Sequence, residues 1–273
     1  MLSKIAEGFA KHGAKAVILM SRNQEKITKA AAEVAKFGPS EGISGDVRKY
    51  EDCSKVVTYI VEKYGQLDVL VNGAAGNFLA QTESLSTNGF RTVLEIDTIG
   101  TFNMSKAAYV NAMKAKKQGV ILNITAELHW NGSVFQAHSA AAKAGVDALT
   151  RVMACEWGPY GIRVNGLCPG AIEGTEGFAR LGDVSLLNNK DASKQANAKT
   201  DHKATSEMMG KVIPQQRCGT ADDIANGALY LCSPAAAYST GSVLVIDGGA
   251  FLTYPNMLFG FPQFAQSWSD AKL

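Results

Sequence analysis

The sequence predicts a doubly wound, Rossmann-like α/β fold: a parallel sheet covered by helices on both faces, in a single domain. Three observations carry that reading. Short apolar runs at residues 16–20 (AVILM), 67–71 (LDVLV) and 120–124 (VILNI) alternate with longer stretches of helical period, and strands buried on both faces read as such runs. Small residues follow the strands in Asn72-Gly-Ala-Ala-Gly-Asn77 and Pro169-Gly170, at the sheet edge where ligands bind in folds of this class. No internal repeat or low-complexity linker divides the 273 residues, so 1–273 reads as one unit.

Taken in order, Leu2, Ile5, Ala6, Phe9 and Ala10 recur at helical spacing, and His12-Gly13 stops that helix. Residues 16–20 form a strand and 23–37 an alanine-rich helix that ends before Gly38-Pro39. A weaker strand is expected at 42–45. Cys53, Val56, Val57, Ile60 and Val61 are the apolar stripe of a helix over 51–64. The strand at 67–71 precedes a glycine- and alanine-rich loop, then a long helix over 89–116. Strands at 120–124 and 162–167 enclose a helix at 139–158. A helix at 221–231 leads to a last strand at 242–246, before Asp247-Gly-Gly249. Residues 173–211 are polar and poor in period, which reads as a lid over a site. Residues 251–273 form an aromatic C-terminal tail.

Composition removes several classes of function. With 27 Lys+Arg against 25 Asp+Glu the net charge is +2, which offers nothing to attract nucleic acid or an anionic membrane. The longest apolar runs fall far short of the ~18 residues of a membrane span. No basic stretch followed by a long apolar one opens the chain, so no secretory signal is expected. Five widely spaced cysteines without a C-x-x-C pair argue against structural zinc and a disulfide framework, and for a reducing compartment.

One feature breaks the pattern. A doubly wound nucleotide-binding fold opens with a strand and a glycine-rich turn that cradles a pyrophosphate at a helix N-terminus. Here no strand and no such turn precede Leu2. That first strand lies mid-sheet, and each backbone group left unpaired and buried costs about 1–3 kcal/mol. Either the natural chain is longer or another segment fills the slot, and the first is the expectation.

Several residues stand where chemistry is expected. Arg22, after the first visible strand, matches a ribose 2′-phosphate and favours NADP over NAD, against the alternative of an exposed arginine near a helix start. Asp46, ending the next strand, suits an adenine amino group or a helix cap. Asn72 opens a loop whose small residues let backbone approach a flat cofactor. Ser139 and Lys143 sit four apart, on one face of their helix.

Together, Asn72–Asn77, Lys143, Val164-Asn165 with Pro169-Gly170, and Tyr238-Ser-Thr-Gly241 with Asp247-Gly-Gly249 resemble the short-chain dehydrogenase/reductase superfamily over nearly the whole chain. Most members place a tyrosine four residues before the lysine. Ser139 stands there instead, and an aliphatic hydroxyl cannot replace a phenol of pKa ~10 as proton donor. That substitution, with residues 72–79, 97–103 and 169–177, resembles the 2,4-dienoyl-CoA reductase branch. The resemblance implies NADPH-dependent reduction of a 2,4-dienoyl-CoA thioester to a 3-enoyl-CoA in fatty-acid oxidation. It implies catalytic roles for Asp97 and Lys143, with a water relaying the proton, and a hydrogen bond to the intermediate from Ser139, which alternatively caps its helix. Lys143, Asn72, Pro169, Gly170 and Ile172 would hold the nicotinamide end. Arg48, Phe78 and Arg180 would contact the acyl-CoA.

The loop at 124–132 lacks the tyrosine of the mitochondrial type, and Asp97 matches the peroxisomal type. The closing Ala271-Lys272-Leu273 resembles a peroxisomal address read by an import receptor, so a peroxisomal homo-oligomer is expected. A buried Asp–Lys pair that only rigidifies two helices is the plain alternative for Asp97 and Lys143. His138 suits packing, and neither it nor His129 is assigned a role. Two other functions remain open: a non-catalytic binding or scaffold paralogue, favoured by the missing turn, and a 3-oxoacyl thioester reductase, disfavoured by Ser139.

Overall fold

The computed structural model describes residues 1–175, 177–178, 202–211 and 213–252. Its elements follow the expected alternation. Helix α1 (Leu2–Lys11) leads to β1 (Val17–Ser21), α2 (Gln24–Val34), β2 (Ser40–Ser44), α3 (Tyr50–Tyr64) and β3 (Val69–Asn72). A long helix, α4, covers residues 87–116, with π-helical turns at Glu95–Ile99 and Tyr109–Met113. Then come β4 (Gly119–Ile124), α5 (Ala137–Trp157), β5 (Ile162–Pro169), α6 (His202–Gly210), α7 (Ala221–Cys232) and β6 (Val243–Ile246). Local chemistry sets the boundaries. The Asn23 side chain accepts from the N–H of Lys26 to start α2, and Thr220 forms a reciprocal capping box with Asp223 to start α7. Gly65, at φ 86°, ends α3 in the left-handed conformation that glycine adopts at no steric cost.

All strand pairs are parallel, in two groups, β1–β2 and β3–β4–β5–β6. Shared helix layers join the groups. On one face α3, α4 and α5 bury Val57, Met104, Met113, Met153 and Trp157 against Ile121, Ile162 and Val164, with Met20 of β1 and Leu70 of β3 in the same cluster. On the other face α7 packs Ile224, Ala228 and Leu231 on Leu122, Ile124 and Leu167. Helix α1 serves both groups, with Ile5 in that second cluster beside Val71 and with Ala6 and Ala10 against Val17 and Leu19. Among the described residues no strand pairs with the second edge of β1 or of β3, as expected of a doubly wound sheet without its opening strand.

The weak strand at 42–45 is Ser40–Ser44, in register with β1 from Val17↔Ser40 to Ser21↔Ser44. Helix α6 falls where no period was visible, because HKATSEMMG holds too few apolar residues to show one. The rest of the expected lid at 173–211, apart from 173–175, 177–178 and the described part around α6, lies outside the described residues, as does the tail beyond 252.

Gly42 shows how tightly α2 lies on β2. A Cβ there would stand 2.6 Å from the Ile27 carbonyl oxygen and 3.0 Å from the Thr28 nitrogen, backbone atoms that cannot rotate away. The Gln24 side chain fixes the same place, donating to the Gly42 carbonyl and accepting from the Ser44 N–H. Gly42→Ala should therefore destabilise the fold by about 1–3 kcal/mol. Thermal unfolding followed by circular dichroism should show a midpoint several degrees lower; an unchanged midpoint would mean that α2 can lift off β2.

Candidate active site

The site begins where α4 crosses α5. A Cβ on Gly145 would meet the Thr98 methyl at 2.7 Å, and the Thr98 hydroxyl donates to the Ala142 carbonyl at 2.9 Å. That close crossing faces Asp97 toward Lys143. Asp97 lies inside the first π-helical turn of α4, where the widened helix carries an extra residue. The Lys143 Nζ stands 3.1 Å from Asp97 Oδ2 and donates to the Ile124 carbonyl at 3.1 Å. Asp97 Oδ1 accepts from the Gly76 N–H at 2.7 Å. One ion pair thus fastens the loop after β3 and the end of β4 to both helices.

Asp97 is 0% exposed and Lys143 7%, so the lysine is the member that meets the open side. Burial pushes the Asp97 carboxyl above the usual carboxylate range, while the charge of Lys143 and the Gly76 N–H pull it back. Ser139 is buried one turn before Lys143. It does not cap α5, since Gln136 occupies the N-cap position; Ser139 stands at the third helical residue. His138, fully buried, packs against Phe78 with ring centroids 4.2 Å apart, and burial lowers its pKa. Phe78 is thereby placed beside the start of α5, near Ser139.

The expected cofactor residues occupy two ends of the cleft. Arg22 and Asp46 line one cavity of about 780 Å³ with Lys55 and Tyr59. Asp46 caps no helix, because Lys49 is the N-cap of α3. Its carboxylate instead accepts from Arg48 through Nε and Nη2, which holds it below the usual carboxylate range and couples an expected cofactor residue to an expected substrate residue. At the other end Gly170 donates to the Ile246 carbonyl, and a Cβ there would lie 2.6 Å from the Asp247 Cβ. The Ile172 side chain turns into the core beside Leu122 and Ile224. Asn72 spends its amide on the Ser105 hydroxyl and the Asn123 carbonyl oxygen, both at 2.9 Å. Its side chain buttresses the floor of the site. Arg180 lies outside the described residues.

Sequence reasoning missed Asp147, Glu127 and Cys168 here. Asp147, one turn beyond Lys143 on the same helical face, accepts from the Thr125 hydroxyl at 2.6 Å and stands 3.0 Å from His129 Nε2. The i+4 spacing from Lys143 was its available signal. Glu127 and Cys168, on neighbouring strand ends, meet with the thiol donating to Oε2 at 3.4 Å. Nothing in their spacing announces that pair.

A parallel α/β fold with a buried acid–lysine pair at the carboxyl ends of its strands defines a dinucleotide-dependent oxidoreductase. The sequence model of a family described as Enoyl-(Acyl carrier protein) reductase matches residues 3–250. The "Peroxisomal 2,4-dienoyl-CoA reductase [(3E)-enoyl-CoA-producing]" of Rattus norvegicus is 43% identical over 272 residues, 99% of this chain and 86% of its own. The "Probable 2,4-dienoyl-CoA reductase [(2E)-enoyl-CoA-producing]" of Bacillus subtilis is 39% identical over 242 residues, 88% of each chain. A gluconate 5-dehydrogenase from Burkholderia cenocepacia, solved in complex with NADP and tartrate, superposes with a TM-score of 0.77 at 27% identity, over 91% of this chain and 90% of that one. The chain belongs to the short-chain dehydrogenase/reductase family.

Removing Lys143 should expose what the pair costs. In Lys143→Met the fully buried Asp97 loses its cation, and breaking such a pair costs about 3–5 kcal/mol. An acid raised by burial keeps its proton in the folded protein while the unfolded chain releases it, so stability falls as pH rises from the usual carboxylate range through the raised value. The loss in Lys143→Met should grow over that interval. The double variant with Asp97→Asn should recover part of it, as urea unfolding at several pH values would show; equal losses in single and double variants would count against the coupling.

Proposed function

We propose that this chain is an NADPH-dependent 2,4-dienoyl-CoA reductase. The observation that carries the proposal is the Asp97–Lys143 pair, with Ser139 and no phenol one turn before the lysine. The relatives named as 2,4-dienoyl-CoA reductases support it. A nicotinamide cofactor fits the residues present: Arg22 for a 2′-phosphate, Asp46 for the adenine edge, Lys143 for the nicotinamide ribose, and the backbone from Pro169 to Ile172 for the carboxamide. NADPH, when bound, supplies a hydride for the δ-carbon of the dienoyl thioester.

The chain's own groups then handle charge. Lys143 contributes positive potential where negative charge develops on the thioester oxygen, and Asp97 fixes its position. Ser139, on the same helical face, offers that oxygen a hydrogen bond. Protonation at the α-carbon leaves a 3-enoyl-CoA. Arg48 and Phe78 stand toward the acyl-CoA, with Arg180 as a further contact for a CoA phosphate.

The same proposal includes a homo-oligomer formed through the exposed Ile99, Phe102 and Val110 of α4 with Val152 of α5. It also includes a peroxisomal destination with import through Ala271-Lys272-Leu273. A fluorescent fusion with and without those three residues tests the destination, and light scattering tests the assembly.

The purified chain should oxidise NADPH in the presence of a 2,4-dienoyl-CoA and release the (3E)-enoyl product; release of the (2E) isomer would instead place the proton at another carbon. No NADPH oxidation would overturn the proposal in favour of a binding or scaffold role. Arg22→Ala should weaken NADPH binding by about 10- to 100-fold, the worth of a charge-assisted hydrogen bond of about 1.5–3 kcal/mol, and leave NADH binding unchanged. Equal loss for both nucleotides would remove Arg22 from the 2′-phosphate.

A further inference from the structure

The loop after β3 is tied to the entrance of α5 almost residue by residue. Gly76 donates to Asp97. Beyond it the Asn77 amide donates to the Gln136 amide oxygen at 2.9 Å. The Phe78 ring lies against the His138 ring, and the Ala80 N–H donates to the Phe135 carbonyl at 2.9 Å. This clasp joins the residue that holds Asp97 to the residue that precedes Ser139.

The clasp carries strain. Phe135 has φ 65°, a left-handed conformation that a bulky side chain rarely adopts, at a cost of about 1–3 kcal/mol. Gln136 stands at the N-cap of α5 but gives the helix no side-chain cap. Its amide is engaged by Asn77 and by the Ser133 hydroxyl. The entrance to α5 is therefore shaped to meet the loop rather than to start the helix.

His138 lies at the centre of this contact. It is fully buried, and its ring meets that of Phe78 with centroids 4.2 Å apart and planes at 38°. Burial lowers its pKa, so the ring is neutral near neutral pH. Elsewhere Phe78 reaches α4, where a Cβ on Gly89 would stand 3.3 Å from the Phe78 Cζ. The ring thus spans the first turns of α4 and α5, the two helices that supply Asp97 and Lys143. Asp97, Ser139 and Lys143 are buried, whereas Phe78 is only half-buried. It presents apolar surface at the mouth of the site.

We propose that His138 is a positioning residue for the acyl chain of the substrate: it holds Phe78 across the mouth of the site, where the ring is a fixed apolar wall for the carbons beyond the diene. The assignment rests on the dienoyl reductase reading above. A ring held by His138 and Gly89 has lost its rotamer freedom before substrate arrives, and a preorganised contact holds an apolar chain better than a mobile one.

Variants assayed on substrates of two chain lengths test this. His138→Ala removes the ring behind Phe78. We expect KM for deca-2,4-dienoyl-CoA to rise about tenfold, the scale of a lost apolar contact. KM for hexa-2,4-dienoyl-CoA, kcat and the Kd for NADPH should stay within about threefold of wild type. His138→Phe, which keeps an aromatic ring in place, should restore most of the difference. Phe78→Ala should raise the same KM, and the double variant should lose no more than Phe78→Ala alone, because His138 acts through that ring. An unchanged KM in His138→Ala, equal losses for both chain lengths, a fall in kcat with weaker NADPH binding, or additive losses in the double variant overturns the assignment and leaves His138 a packing residue. If His138→Ala does not fold, His138→Leu, which fills the space without an aromatic ring, takes its place with the same expectations. A wild type that oxidises no NADPH with either dienoyl-CoA overturns the reductase reading and this assignment with it.

Discussion

The buried contact between Asp97 and Lys143 constrains everything around it. Taking a carboxylate and an ammonium out of water costs several kcal/mol per ion, which their attraction repays only in good geometry with further hydrogen bonds. Four separate pieces of chain supply that geometry. The π-helical turn of α4 presents Asp97. Gly145 lets α5 approach, Gly76 satisfies one carboxylate oxygen, and the Ile124 carbonyl satisfies the ammonium. Moving any of these would leave a charge without its partner, so the pair locks two helices, a loop and a strand end into one arrangement. Rigidity and catalytic placement are not competing explanations here. A lysine proposed to hold a cofactor hydroxyl must be fixed by something, and Asp97 is what fixes it.

The sheet solves a related problem with backbone groups. β4 and β5 are hydrogen-bonded on both edges and almost entirely buried, whereas all five residues of β1 are only half-buried. An unpaired N–H or C=O is expensive only where water cannot reach it. Among the described residues the edges of β1 and β3 without a strand partner fall at the division between the two strand groups, and there burial is lower. Helices carry the continuity that hydrogen bonds do not. α1 buries one face against β1 and another beside Val71, and Met20 and Leu70 share a cluster on the opposite side. The two strand groups are held as one layer by side-chain packing.

How much of this was legible in the sequence follows from what each feature depends on. Five of the six strands could be read from short apolar runs, and Ser40–Ser44, with its glycine and two serines, lay where the alternation required a strand. Lys143, Ser139 and Asp97 could be read from position within a recognisable order of motifs. The π-helical turns could not, since they arise from how α4 meets its neighbours and not from any composition of its own. Asn72 was legible as a site residue, but not the network with Ser105 and Asn123 that occupies its side chain, because those partners lie 33 and 51 residues away. Glu127 and Cys168 are 41 residues apart and meet only because β4 and β5 are neighbours in register.

That register gives one region two acids that burial raises and different partners hold. Asp97 is buried beside a cation and a backbone donor, both of which favour its charged form. Burial, with the carboxylate of Asp247 nearby, raises Glu127, and its partner thiol Cys168 and the backbone oppose that rise. Environment alone thus sets two carboxyls of one region apart, since Asp97 answers to a lysine and a loop N–H and Glu127 to a buried thiol.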